Sequence, residues 1–146
     1  MMVMLANPKI KRILVALDGS KESSKALNEA IYLARECQAV LFGLYIVPLF
    51  SINYKKPSSP LAKMFLENGR KTLANAKVKA AQNGILLYDK IINGNEGYKI
   101  VSYAKNNKMD MIVIGSRGKS NIKEFFLGSV SHYVAQKSTI PVLVIK

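Results

Sequence analysis

One cysteine, one histidine and nine acidic residues are all that this 146-residue chain supplies of the groups most used for metal binding and acid–base chemistry. Cys37 has no second cysteine to pair with, so no internal disulfide can form. His132 has no cysteine or carboxylate at metal-ligand spacing, which places it on a helix surface rather than in a metal site. Missing too are a G-x-S-x-G elbow and an H-E-x-x-H pair, so the common hydrolase and metalloprotease signatures are excluded. Glu124 and His132 are the nearest candidates for a general base, and neither has a partner in sequence. No apolar run is long enough to span a membrane, and the N-terminal MMVMLA is too short and poorly flanked for a signal peptide. These absences predict a cytoplasmic protein with no membrane partner.

What is abundant is positive charge. The 22 Lys and Arg against 9 Asp and Glu give a net charge of +13, which draws anions over long range at low salt. Nucleotides, nucleic acid and acidic lipid all fit that field. The basic residues are scattered, with no run longer than pairs such as Lys11-Arg12 and Lys55-Lys56 and no arginine-rich tract, so a solvated basic surface is favoured over a nucleic-acid interface. A composition 49% hydrophobic and 21% charged is globular, and the length suits one domain, residues 1–146, burying roughly two thirds of its unfolded surface.

Short apolar runs recur along the chain: RILVAL (12–17), LFGLYIV (41–47), MIVIG (111–115) and PVLVI (141–145). Unbroken runs of this length suit strands buried on both faces. ILLYDKII (85–92) is interrupted by Asp89 and Lys90, which places it near a sheet edge. Between these runs, apolar residues return at helical spacing after Ser20, from about Ser59 to Gln82, from Glu96 to Asn106 and from Ser129 to Lys137. Five strands alternating with four helices predict an open, mostly parallel α/β sheet with helices on both faces. Pro48 to Pro60 carries turn residues and no periodicity, and reads as a loop.

Ligands of such sheets bind beyond the carboxyl ends of the strands. That rule selects Asp18-Gly19-Ser20, Ile46-Val47-Pro48 and the stretch GSRGKSNIKEFFLGS (115–129). The last resembles a Walker loop at Gly118-Lys119-Ser120, but Val113 stands where its leading glycine belongs. Instead, Gly115 and Gly118 predict a turn with exposed N–H groups, reached through positive φ. Gly128-Ser129 opens a helix whose unpaired N–H groups and dipole favour phosphate. Between them, residues 121–127 predict a short helical lid pinned by Ile122, Phe125, Phe126 and Leu127. Asp18 is either a cap of the first helix or a ligand residue.

Gly115-x-x-Gly118, nine further residues and Gly128-Ser129, set between MDMIVIGSRG and PVLVIK and preceded by RILVALDGS, resembles the ATP-binding branch of the universal stress protein family. The resemblance implies a Rossmann-like sheet of the adenine nucleotide alpha hydrolase type, in the order 3-2-1-4-5. It also implies ATP, ADP or AMP at the switch point and a homodimer through Val142, Leu143, Val144 and Ile145. By position, Asp18 would hold the adenine and ribose side with Ala16 and Leu17 beside it, and Ile46 would bind adenine through its backbone. Ile114, Gly115 and Gly118 would line ribose and phosphates, and Gly128, Ser129 and Val130 the triphosphate. Mg²⁺ or Mn²⁺ would be held through the phosphates, with no protein ligand evident. The implied function is a nucleotide-responsive regulatory module in the stress response, with slow ATP hydrolysis or adenylyl transfer in the same pocket as the alternative. One departure stands out: the family's G-x-P turn reads Gly94-Asn95-Glu96 here, a change expected to leave the pocket untouched.

Overall fold

Ile13, Leu14 and Val15, three neighbours in one strand, are all fully buried, as a strand covered on both faces requires. The structure is a computed structural model that describes residues 9–48, 59–117 and 127–146. Its elements run β1 (Arg12–Ala16), α1 (Lys21–Cys37), β2 (Val40–Pro48), α2 (Pro60–Gln82), β3 (Leu87–Gly94), α3 (Glu96–Asn106), β4 (Met111–Gly115), α4 (Ser129–Lys137) and β5 (Val142–Ile145). The strands form one parallel sheet in the order β3-β2-β1-β4-β5, as the resemblance implies.

Alternation along each strand divides the core in two. Ile13, Val15, Leu41, Tyr45 and Val113 face α1 and α2, where Ala26, Ala30, Leu73 and Ala76 cover them. Leu14, Leu44, Ile112 and Ile114 face α3 and α4 and pack on Ile100, Ala104 and Val134. At 25 cal/mol per Å² each fully buried aliphatic contributes about 2 kcal/mol, so these two layers supply most of the drive to fold.

The central strand β1 is held to β4 by more than its ladder. Asp110 Oδ2 accepts the backbone N–H groups of both Lys11 and Arg12, each at 2.9 Å, while Asp110 N–H donates to Arg12 O at 2.8 Å. Arg12 in turn lays its guanidinium over the Phe42 ring, 4.5 Å from the centroid.

The element limits follow the periodicity closely, with one shift worth explaining. The strand expected from Ile85 begins at Leu87, because Ile85 N–H is spent on Ala80 O in closing α2. Gly84, at φ +71°, turns the chain there in the left-handed conformation that glycine adopts freely. The strand is an edge, pairing with β2 alone, as its interrupting charges suggest. Among the described residues no helix is long and apolar enough to cross a membrane.

Candidate functional site

At the carboxyl ends of β1, β2 and β4 the sheet opens into a cleft of about 370 Å³, within the range of small-molecule sites. β1 and β4 are neighbours, yet the chain leaves them in opposite directions along the sheet, toward β2 and toward β5. That divergence leaves the space.

The first wall is the turn after β1. Leu17 N–H still bonds to Leu44 O, at 2.9 Å, and Gly19 at φ +81° then reverses the chain. Asp18 Oδ1 accepts Ser20 N–H at 2.8 Å, fixing the carboxylate at the cleft. The cap of α1 is Ser20, whose Oγ accepts Ser23 N–H at 3.1 Å. Asp18 therefore braces the turn and does not cap the helix.

The opposite wall is built from Gly115-Ser116-Arg117 and the start of α4. Ser116 O accepts both Gly128 N–H at 2.6 Å and the Ser131 hydroxyl at 2.7 Å, which draws α4 onto the end of β4. The positive φ expected of Gly115 is absent; the residue is in the strand. What requires glycine is the first turn of α1, since a Cβ at 115 would stand 2.9 Å from the carbonyl carbon of Glu22. Gly128 likewise sits at φ −69°, with Ser116 O 3.3 Å from where its Cβ would be.

The four helices differ at their beginnings. Ser20, Ser59 and Asn95 each turn a side-chain oxygen onto an N–H of α1, α2 and α3. α4 starts from Gly128, with no side-chain cap among the described residues. Its first-turn N–H groups, with the partial positive charge of the helix end, thus face the cleft beside Arg117.

Two further groups face the same space. Tyr45 is almost wholly buried, 3% exposed, and lines the cleft from β2. Burial pushes its hydroxyl above the usual tyrosine range, and the Asp18 and Glu96 carboxylates push it the same way. Glu96, in the first turn of α3, also lines the cleft. Desolvation raises its carboxyl above the ordinary glutamate value, and the charge of Asp18 adds to the effect. The Glu96 position was expected to lie away from the pocket. The structure corrects that: with Asn95 capping α3, Glu96 becomes the first helical residue and its side chain enters the wall.

Of the residues implied by resemblance, Ala16, Leu17, Asp18, Ile46, Ile114, Gly115, Gly128, Ser129 and Val130 all line this one cleft. Gly118 and the lid residues Ile122, Phe125 and Phe126 lie outside the described residues, as does most of the 48–60 loop. Leu127 is half-buried, and His132 is exposed on α4. Sequence reasoning missed Tyr45, Glu96, Arg117 and Ser131. Arg117 was in plain view between Gly115 and Gly118, while Tyr45 reads as an ordinary core position of β2.

The sequence model of the Universal stress protein family matches residues 9–146. The chain is 40% identical over 145 residues to the universal stress protein YxiE of Bacillus subtilis, covering 92% of this chain and 98% of that one. Among solved structures, the universal stress protein UspA from Lactobacillus plantarum superposes with a TM-score of 0.86 at 26% identity, over 96% of this chain and all of that one. A universal stress protein in complex with cAMP shares the fold, at a TM-score of 0.75 and 24% identity, over 94% and 98% of the two chains.

Proposed function

The chain belongs to the universal stress protein family, and from that footing we propose that it is a cytoplasmic, dimeric regulatory protein that binds ATP, ADP or AMP in the cleft at the end of β1 and β4. The observation that carries this reading is the start of α4. It has no side-chain cap among the described residues, and it opens beside Arg117 onto a cleft whose lining includes an aliphatic wall of Ala16, Leu44, Ile46, Ile114 and Val130. A flat apolar base suits the aliphatic wall, and a phosphate suits the free N–H groups and the guanidinium. Polarity within the cleft thus orients a nucleotide, with its phosphates toward α4 and its base toward β2.

The residues present fit that ligand. Ile46 and Pro48 line the cleft from the end of β2, and Gly128 leaves room where a Cβ would press on Ser116 O. Among the described residues no group of three or more His, Cys, Asp or Glu could hold a metal, so Mg²⁺ or Mn²⁺ would enter on the phosphates. Mass spectrometry of small molecules released from freshly purified protein tests the reading directly. An adenine nucleotide is expected; protein that releases none and shows no calorimetric binding of ATP, ADP or AMP would overturn it.

A further inference from the structure

Glu96 stands where two clefts meet. It lines the cleft described above and also an adjoining one of about 450 Å³ between the starts of α3 and α4, walled by Gly94, Gly97, Ser129 and Tyr133. In a chain of net charge +13, a half-buried carboxylate should find a cation easily. Glu96 has none: among the described residues it makes no ion pair and no hydrogen bond, whereas Asp89 pairs with Lys77 at 3.0 Å and Asp110 receives two N–H groups. The Tyr45 hydroxyl, on a side chain more than nine-tenths buried in the same wall, is likewise without a hydrogen bond among the described residues. Among the described residues no fully buried side-chain oxygen lacks a partner, so both groups keep solvent contact in the open cleft, and a ligand that displaces that water has to supply a donor in its place. Asp18 beside it sharpens the demand, since like charges disfavour each other.

We infer that Glu96 is a specificity-determining residue that accepts hydrogen bonds from the free ribose hydroxyls of the bound nucleotide and rejects nucleotides bearing a phosphate there. The inference rests on the nucleotide reading above. With phosphate at α4 and base toward β2, the sugar joins the two and passes the α3 side of the cleft, where Glu96 projects. Hydroxyls are donors and satisfy a carboxylate; a phosphate ester at the 3′ position is an anion and an acceptor, and meets Glu96 and Asp18 together. Without this acid, the field of the whole chain would favour the more highly charged nucleotide.

Calorimetric titration with AMP and with adenosine 3′,5′-bisphosphate, at one fixed salt concentration, reads the effect as a ratio of affinities. The unsubstituted protein should bind AMP at least about tenfold more tightly, since a like-charge contact across an interface disfavours binding by more than the 1.4 kcal/mol that tenfold represents. Glu96→Gln keeps the shape and an acceptor oxygen, so AMP affinity should change by less than about fivefold while the ratio closes toward one. Glu96→Lys, a second variant with circular dichroism as the check on folding, should invert the ratio. An unsubstituted protein that binds both nucleotides equally, or a ratio unmoved in both folded variants, would overturn the inference and leave the nucleotide reading intact. Failure of the unsubstituted protein to bind either nucleotide would overturn both.

Discussion

Tyr45 packs its ring against the backbone of Gly69, so closely that a Cβ at position 69 would stand 2.8 Å from Tyr45 Cδ1 and 3.0 Å from Cε1. Gly69 is a buried residue in the middle of α2, where glycine is otherwise disfavoured by about 1 kcal/mol relative to alanine. The helix accepts that loss because the ring needs the space, and the ring carries the hydroxyl that faces the cleft.

Gly69→Ala should therefore lower the melting temperature, although the substitution improves helix propensity. Overpacking a close-fitted core is destabilising by about 1–3 kcal/mol, which exceeds the propensity gain at all but the low end. A thermal melt beside that of Tyr45→Leu and of the double variant checks the cause. If the clash is with the ring, Gly69→Ala in the Tyr45→Leu background should be neutral or stabilising. A rise in melting temperature in the parent background would refute the packing account.

The raised carboxyl of Glu96 sets the sign of a pH effect. Between the ordinary glutamate value and the raised one, the folded protein holds a proton that the unfolded chain has released, so stability falls as pH rises through that window. Glu96→Gln has no such loss. Its melting temperature relative to the parent should be level well below the ordinary value of about 4.3, climb through the window and level off above it. A difference that stays flat from about pH 4 to pH 8 would show that Glu96 ionises as freely folded as unfolded.

The two edges of the sheet are not alike. β3 carries Asp89 and Lys90 exposed at its middle, and Lys77 from α2 pairs with Asp89 at 3.0 Å. β5 is Val142-Leu143-Val144-Ile145, four apolar residues, each only half-buried. Bare apolar edges invite pairing with another chain, and charge is the usual guard against it. The protein should therefore sediment at twice its 16.2 kDa chain mass at micromolar concentration, through β5. Sedimentation as a monomer would mean that the β5 edge is tolerated bare.

How much of this could be read from residues alone depended on what writes a periodic signal. Burial on both faces writes an apolar run, so MIVIG marks β4 to the residue; the strand order came from family likeness, since pairing leaves no trace in a single sequence. Glu96 escaped because helical periodicity reports the buried stripe and says nothing of a polar first-turn side chain. Gly115 was singled out for the wrong reason. A glycine chosen for positive φ and one chosen for the close approach of Glu22 are spelled identically, and only the packing of α1 on β4 tells them apart. Tyr45 was hidden in a run of core residues, its hydroxyl invisible to any pattern of hydrophobicity.

The Asp110 latch on Lys11 and Arg12 spans 99 and 98 residues of chain. Synthesis proceeds from the N-terminus, so β1 leaves the ribosome early with only β2 and β3 to follow on one side, and its other edge stays open until β4 arrives. During that interval the nascent sheet shows the ribosome exit a bare edge of Ile13, Leu14 and Val15, which are fully buried in the finished protein. Long-range parallel pairing is slow because loop closure precedes its reward. The strand at the centre of the native fold is thus the most vulnerable one at birth, and a chaperone that recognises apolar strand edges would meet this chain there, before any pocket exists.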